Sequence, residues 1–123
     1  MSDANLYTLL EASFVKAGQK PCMVIPDGPS IRYDQLKSAS ARFANTLASL
    51  GVKPGDRVMI QVEKSITNVA VYMATLKAGA VYNPLNSAYT PAELEYFIGD
   101  AEPAVLVVSA ATKAKLANIK LPA

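Results

Sequence analysis

Residues 51–86 read GVKPGDRVMIQVEKSITNVAVYMATLKAGAVYNPLN, and this stretch decides the fold of the chain. Two short apolar runs, residues 58–62 and 80–82, flank a longer apolar segment at residues 66–78. This order is typical of a strand–helix–strand unit, in which the two strands pair in parallel and the crossover helix packs on one face. The sequence therefore predicts an α/β fold built on a parallel sheet.

Two apolar segments of this region have the composition of buried elements. The helix at residues 66–78 is apolar on most sides, as is typical of a helix inside a larger body. Residues 104–108, AVLVV, form a continuous apolar run of the kind found in strands within parallel sheets. We therefore expect both elements to be fully buried in a longer protein, where later parts of the chain cover them. A chain that lacks these covering segments should expose an apolar patch and self-associate.

The N-terminal third adds a helix and a hairpin to this sheet. Asn5 is placed to cap a first helix, and Gly18 is placed to end it. Residues 21–25, an apolar run, and residues 30–33, a short return segment, are interpreted as strands on either side of the turn PDGP, residues 26–29. An Asp-Gly turn between such runs predicts a β-hairpin, and the flanking prolines favour an edge position.

The boundaries of three further helices follow from capping signals. Asp34 is the expected cap of the second helix, and Gly51 is expected to end it. The capping box TPAE at residues 90–93 starts a helix that Gly99 and Asp100 are expected to end. Ser109 is the expected cap of a last helix. One stripe at helical spacing runs along the second helix and comprises Leu36, Ser40, Phe43, Leu47 and Leu50.

Size, charge and cysteine content exclude several classes of function. The 123 residues suit one domain, and the net charge of +2 is too small to indicate a nucleic-acid or membrane partner. Cys22 is the only cysteine, so no intrachain disulfide can form and a reducing compartment fits. The N-terminus lacks the basic start and apolar core of a signal peptide. We therefore expect a cytoplasmic protein.

The sequence carries few reactive groups. It contains no histidine, which excludes Ser-His and Cys-His nucleophile pairs and leaves little with which to bind zinc. Neither GxGxxG nor GxxxxGK[ST] occurs. Asp56 and Arg57 are interpreted as a local ion pair, and Cys22 as a buried apolar residue of the first strand. We assign no catalytic, cofactor-binding or metal-binding residue to this chain.

Polar residues follow two of the predicted parallel strands, at the edge where open α/β sheets place ligands. Residues 63–65, EKS, are interpreted either as part of a ligand site or as a polar link in which Ser65 caps the buried helix. Tyr82, Asn83 and Asn86 are interpreted either as functional groups or as groups that satisfy the loop backbone. The residues alone leave both alternatives open.

Three segments together resemble a known family. They are YDQL at residues 33–36, LGVKPGDRV at residues 50–58 and KAGAVYNPLN at residues 77–86. Their order and spacing are similar to those in the N-terminal part of the adenylate-forming acyl-CoA synthetases, the AMP-binding family. Within that family, QVEKS at residues 61–65 and PLNSAYT at residues 84–90 most resemble the malonyl-CoA synthetase branch.

The resemblance implies a role for the whole enzyme that this chain does not perform alone. It implies that residues 1–123 form a flavodoxin-like N-terminal subdomain, with an edge hairpin, of a much longer protein. A full-length member uses ATP and Mg²⁺ to convert a small carboxylic acid, here malonate, into an acyl-adenylate, and then transfers the acyl group to coenzyme A. Its phosphate loop and catalytic lysine are not among these residues, so we expect this chain to bind none of these cofactors and to be inactive. The alternatives are a fatty acyl- or aryl-CoA ligase, and a non-catalytic scaffold or interaction domain.

Overall fold

The structure is a computed structural model and describes residues 5–117 and 119. It contains helices and strands in the order that the sequence predicts. Within the described part of the chain, no helix has the length and hydropathy needed to span a bilayer. The elements are α1 (Leu6–Ala17), β1 (Pro21–Val24), β2 (Ser30–Arg32), α2 (Tyr33–Ser49), β3 (Arg57–Gln61), α3 (Ile66–Lys77), β4 (Val81–Pro84), α4 (Pro91–Ala101), β5 (Val105–Val108) and α5 (Ala110–Leu116).

Three strands form the parallel sheet, in the order β4-β3-β5. Met59 at the centre of β3 pairs with Asn83 on one side and with Leu106 on the other. The first of the three strands in the chain is therefore central, with the second and third beside it, which is how flavodoxin-like sheets begin. β1 and β2 pair antiparallel in a separate hairpin. The predicted α/β class, parallel sheet and hairpin are confirmed.

The core lies on both faces of β3 because successive side chains of a strand point to opposite faces. Val58 and Ile60 pack against α2 and α3, together with Leu47 and Ala74. Met59 points to the other face, where it packs against residues of α4 and α5. A further cluster joins α1 and the hairpin to α2 and α3, and its buried members are Tyr7, Phe14, Leu36 and Ala70.

Local capping explains most helix starts. The Oδ1 atom of Asn5 accepts a hydrogen bond from the Tyr7 backbone N–H at 2.7 Å, as an N-cap does. Side chains of Ser65, Thr90 and Ser109 do the same for α3, α4 and α5. These four caps lie where the sequence predicts helix starts, and Gly18 follows α1 with a positive φ of 58°.

Two predicted helix boundaries are wrong. Asp34 does not cap α2, because the helix begins at Tyr33 and Arg32 occupies the cap position. There the Arg32 backbone N–H donates to Gln35 Oε1 at 2.8 Å. Gly99 does not end α4 either, because the helix continues to Ala101. The left-handed residue that ends it is Glu102, with φ of 48°.

Two apolar elements, α3 and β5, are only partly buried in this chain. α3 buries Ala70, Val71, Ala74 and Thr75, while much of its remaining apolar surface is half-buried. All four residues of β5 are half-buried, because β5 lies at an edge of the sheet and has one neighbouring strand. The α2 stripe ends early, since Leu50 is exposed. In this chain α3 and β5 therefore keep part of their apolar surface uncovered, and their complete burial within the longer protein stays a prediction.

Candidate functional site

The carboxyl ends of β3, β4 and β5 lie at one edge of the sheet because the three strands are parallel. Gln61, Pro84 and Val108 are the last residues of these strands. Residues 62–65 and 85–90 follow the first two, and Ser109 follows the third. Open α/β sheets bind ligands outside the carboxyl ends of their strands, so this edge is the candidate site.

The link at residues 63–65 has a structural role through its serine. Ser65 Oγ accepts a hydrogen bond from the Asn68 backbone N–H at 3.0 Å, and the Ser65 carbonyl accepts one from Val69 at 3.2 Å. Glu63 and Lys64 are exposed beside it. The geometry therefore supports the interpretation of Ser65 as the cap of α3.

Tyr82 and Asn68 form a polar contact between β4 and α3. The Tyr82 hydroxyl donates to Asn68 Oδ1 at 3.1 Å, and its ring packs edge-to-face against Tyr72 with centroids 4.6 Å apart. Burial raises the pKa of the Tyr82 phenol, although the Asn68 hydrogen bond opposes this shift. The phenol is therefore a neutral donor at physiological pH and not a base. Asn83, the next residue, is half-buried and pairs with Met59 in the sheet.

Asn86 is held against the end of β3 by Gln61, a residue of the QVEKS segment to which the sequence alone assigned no structural role. Gln61 is 2% exposed, and its Nε2 atom donates to the Asn86 carbonyl at 2.8 Å. Asn86 Oδ1 accepts from the Ala88 backbone N–H at 2.9 Å, so the Asn86 side chain satisfies loop backbone. The available signal was a lone polar residue inside the apolar strand at residues 58–62.

The predicted Asp56–Arg57 ion pair is wrong. An Asp56 carboxylate oxygen accepts from the Lys53 backbone N–H at 2.8 Å. The Arg57 guanidinium donates to the Ala101 carbonyl at 2.8 Å and so ties the start of β3 to the end of α4. Each side chain has its own backbone partner, and both lie at the amino end of β3, away from the candidate site.

Cys22 is a half-buried member of the packing around α1 and the hairpin. Burial raises the pKa of its thiol, against a smaller opposing effect of a hydrogen bond to Tyr33. A thiol with a raised pKa is a poor nucleophile because the thiolate is the reactive form. Its surroundings therefore agree with the interpretation of Cys22 as an apolar residue of the first strand.

A polar cleft of about 680 Å³ lies between the hairpin, α2 and the start of α3. Among its lining residues, Arg32 Nε donates to an Asp34 carboxylate oxygen at 2.9 Å. That hydrogen bond holds the pKa of Asp34 below its ordinary range. The polar residues that line the cleft are Ser30, Arg32, Asp34, Gln35, Ser38, Arg42 and Thr67.

The groups at the carboxyl edge do not fit the cofactors that the resemblance implies. Among residues 5–117 and 119, no three His, Cys, Asp or Glu side chains come together in a way that could hold a metal ion. The 123-residue sequence has no Ser/Thr/Gly-rich phosphate loop. The polar groups at this edge are side-chain amides, a neutral phenol and a capping serine. They donate or accept hydrogen bonds that hold the backbone in place, so no step of catalysis is assigned to them.

Comparison with known proteins shows the family. The family model described as AMP-binding enzyme matches residues 10–122, and the chain belongs to this family of adenylate-forming enzymes. The chain is 38% identical over 101 residues to the acyl-CoA ligase sidI of Beauveria bassiana, covering 81% of this chain and 18% of that protein.

Solved structures agree with this assignment. The fold is similar to that of apo MatB from Rhodopseudomonas palustris, with a TM-score of 0.86 and 40% identity. That match covers 94% of this chain and 23% of the MatB chain. The anthranilate CoA ligase AuaEII matches with a TM-score of 0.84 and 25% identity, over 91% of this chain and 22% of that one. The chain thus spans less than a quarter of each of these proteins.

Proposed function

We propose that residues 1–123 are the N-terminal subdomain of the large domain of an acyl-CoA ligase. The observation that carries this proposal is the match of residues 10–122 to the AMP-binding family, together with the MatB-like fold. In the proposed reaction a substrate carboxylate oxygen attacks the α-phosphorus of ATP and displaces pyrophosphate. The thiol of coenzyme A then attacks the acyl carbon of the adenylate and displaces AMP, forming the thioester.

The chain of 123 residues is proposed to be inactive by itself. Adenylation needs groups that neutralise the charge that develops on the phosphates, and Mg²⁺ and lysine are the usual ones. The carboxyl edge offers instead the amide of Gln61, the phenol of Tyr82 and the capping Ser65. We therefore assign the binding of ATP, Mg²⁺ and coenzyme A to parts of the enzyme outside these residues. Pyrophosphate release above background by the purified chain, with ATP, Mg²⁺ and malonate, would refute this.

Malonate is the proposed substrate of the whole enzyme. This proposal is supported by the resemblance of residues 63–65 and 86–90 to the malonyl-CoA synthetase branch. Identity to MatB, at 40%, also exceeds identity to the anthranilate CoA ligase AuaEII, at 25%. The second carboxylate of malonate stays charged at neutral pH, and its burial without a partner is costly. The pocket therefore needs a cation, best an arginine that grips both oxygens, and we place this arginine outside residues 1–123.

The substrate assignment is tested on the protein specified by the complete coding sequence. Pyrophosphate release is compared across malonate, methylmalonate, acetate, octanoate and 4-coumarate at equal concentrations. We expect the two dicarboxylates to give the highest kcat/KM. A clear preference for any of the monocarboxylates, acetate, octanoate or 4-coumarate, would refute malonate as the substrate and would leave the ligase assignment intact.

Self-association of the 123-residue chain is also proposed. The apolar elements α3 and β5 are only partly buried in this chain, and large apolar side chains are also exposed elsewhere, among them Leu9 at 65%, Val15 at 62% and Val24 at 70%. Apolar surface of this kind is a common cause of association between chains. Light scattering at high micromolar concentration should show a dimer or larger species, whereas a clean monomer would contradict the proposal.

The cellular location of the parent enzyme remains a prediction. We propose the cytoplasm, because a single free cysteine is compatible with a reducing compartment. Fractionation with an antibody against this chain tests the location. A non-catalytic scaffold role remains the alternative function, and pyrophosphate release by the protein from the complete coding sequence excludes it.

A further inference from the structure

Gln61 is an unusual residue for its place in the fold. It ends the central strand, where Val58, Met59 and Ile60 are at most 2% exposed, and is itself 2% exposed. Burying an amide costs free energy unless the amide is hydrogen-bonded, so an apolar residue is the usual choice at such a position. The strand nevertheless ends in a glutamine, and the side-chain Nε2 atom of this glutamine donates to a residue outside the strand.

The Gln61 amide connects two segments that are 25 residues apart in sequence. Its Nε2 atom donates to the Asn86 carbonyl at 2.8 Å, and that carbonyl also accepts the Tyr89 N–H at 3.1 Å. Asn86 Oδ1 binds the Ala88 N–H at 2.9 Å, which closes a local turn. The Gln61 amide therefore links this turn to the end of the central strand.

The segment that contains this turn, residues 85–90, is here named the edge loop. At its start, the Leu85 N–H donates to the Ile60 carbonyl at 2.8 Å and so continues the pairing of β4 with β3. At its end, the Tyr89 ring stacks on Phe97 with centroids 5.0 Å apart, and Thr90 caps α4. Both ends of the edge loop are thus fixed to regular structure.

The middle of the edge loop faces outward although its backbone is held. Asn86, Ser87 and Ala88 are exposed, while the Gln61 amide beneath them is buried. The backbone is therefore ordered at the carboxyl edge of the sheet, where ligands of α/β proteins bind. A loop that served only to cover the core would not need a fixed backbone at positions whose side chains are exposed.

We propose that Gln61 is a positioning residue that fixes the conformation of the edge loop for use by the intact ligase. It touches no substrate and acts through the Asn86 carbonyl. The part of this inference that concerns catalysis rests on the proposed ligase function. The part that concerns the loop does not, because it can be measured on the chain itself.

The first test compares Gln61→Leu with the unchanged chain by amide hydrogen exchange. Leucine fills a similar volume but donates no hydrogen bond to Asn86, whose carbonyl keeps only its local partner Tyr89. We expect the protection of the Ala88 and Tyr89 amides to fall about fivefold or more, the factor that one lost hydrogen bond represents. Protection of amides in α2 should change far less.

The matched control is Thr75→Val. Thr75 is also fully buried, and its hydroxyl donates to the Val71 carbonyl within α3, away from the edge loop. This substitution removes a buried donor without touching the edge loop. We expect it to leave the ratio of loop protection to α2 protection unchanged. If Thr75→Val and Gln61→Leu alter this ratio equally, or neither alters it, the positioning role is refuted.

A second variant, Gln61→Glu, tests the donor directly. A protonated carboxyl donates an O–H to the Asn86 carbonyl, and an ionised one cannot. Burial raises the pKa of a carboxyl, so the introduced glutamate should ionise at a pH above the usual pKa of glutamate. We expect protection of Ala88 and Tyr89 near that of the unchanged chain below this pKa, and a loss of at least fivefold above it. Loop protection that does not depend on pH in this variant would overturn the proposal.

The catalytic part is tested in the protein from the complete coding sequence, once its ligase activity has been measured. A displaced edge loop should raise the KM of one of the three substrates, ATP, the carboxylic acid or coenzyme A, by fivefold or more in Gln61→Leu. The other two KM values and kcat should stay within about twofold. Equal changes in all three, or none, would refute the catalytic role and leave the proposed ligase function standing. Absence of ligase activity in the unchanged enzyme would refute both.

Discussion

Thr90→Ala removes one half of the capping box of α4, and its effect follows from the hydrogen bonds of that box. Thr90 Oγ1 accepts the Glu93 N–H at 3.2 Å, and Glu93 Oε1 accepts the Thr90 N–H at 3.0 Å. Alanine removes the first of these bonds and leaves the Glu93 N–H to water. The usual cost of such a loss is about 1 kcal/mol in the free energy of unfolding.

That cost corresponds to a measurable change in melting temperature. A chain of this length has an unfolding entropy of about 0.26 kcal/mol/K near its midpoint, so ~1 kcal/mol lowers Tm by roughly 4 °C. Thermal unfolding followed by circular dichroism measures this shift. Thr90→Ser retains the hydroxyl and should melt near the unchanged chain, and Thr67→Ala removes an exposed threonine that does not cap α3. If Thr90→Ala has the same melting temperature as these two controls, the capping box does not stabilise the chain.

Three further predictions follow from local geometry. Gly51→Val should lower the free energy of unfolding in urea by about 1–3 kcal/mol, because φ is 90° at Gly51 and a residue with a side chain is strained there. An added Cβ would meet no atom within 4 Å, so no new contact would offset the strain. A midpoint equal to that of the unchanged chain would contradict the assigned end of α2. Gly99→Ala should stabilise by about 0.5–1 kcal/mol, because Gly99 lies inside α4 with open space at its Cβ; a lower midpoint would contradict the assigned extent of α4. The raised pKa of Tyr82 favours the neutral phenol in the folded state, so its contribution is present below the ordinary pKa of 10.0 and is lost as pH rises through the folded value. Tyr82→Phe should therefore reduce the loss of stability between neutral and alkaline pH, and an unchanged alkaline limb would refute this.

Features fixed by neighbours in sequence could be predicted, and those fixed by tertiary contacts could not. The caps Asn5, Ser65 and Thr90 were predictable because a cap and its partner lie within three residues of each other. The parallel pairing of β3 with β4 was predictable because a strand–helix–strand order within one short stretch of sequence implies it. The Gln61–Asn86 hydrogen bond could not be predicted, because its partners lie 25 residues apart.

The wrong predictions have the same physical origin. Gly99 was expected to end α4 because glycine favours the left-handed conformation, yet α4 continues to Ala101 and Glu102 adopts that conformation. Arg57 was paired with its sequence neighbour, although the Ala101 carbonyl lies within reach across the fold.

The most direct test of the account is product analysis of the protein specified by the complete coding sequence. It is incubated with ATP, Mg²⁺, malonate and coenzyme A, and the nucleotide and thioester products are quantified by chromatography and mass spectrometry. Adenylation followed by thioester formation predicts AMP, pyrophosphate and malonyl-CoA in equal amounts. ADP and orthophosphate in their place, or consumption of ATP without any acyl-CoA product, would contradict the assignment as an adenylate-forming acyl-CoA ligase.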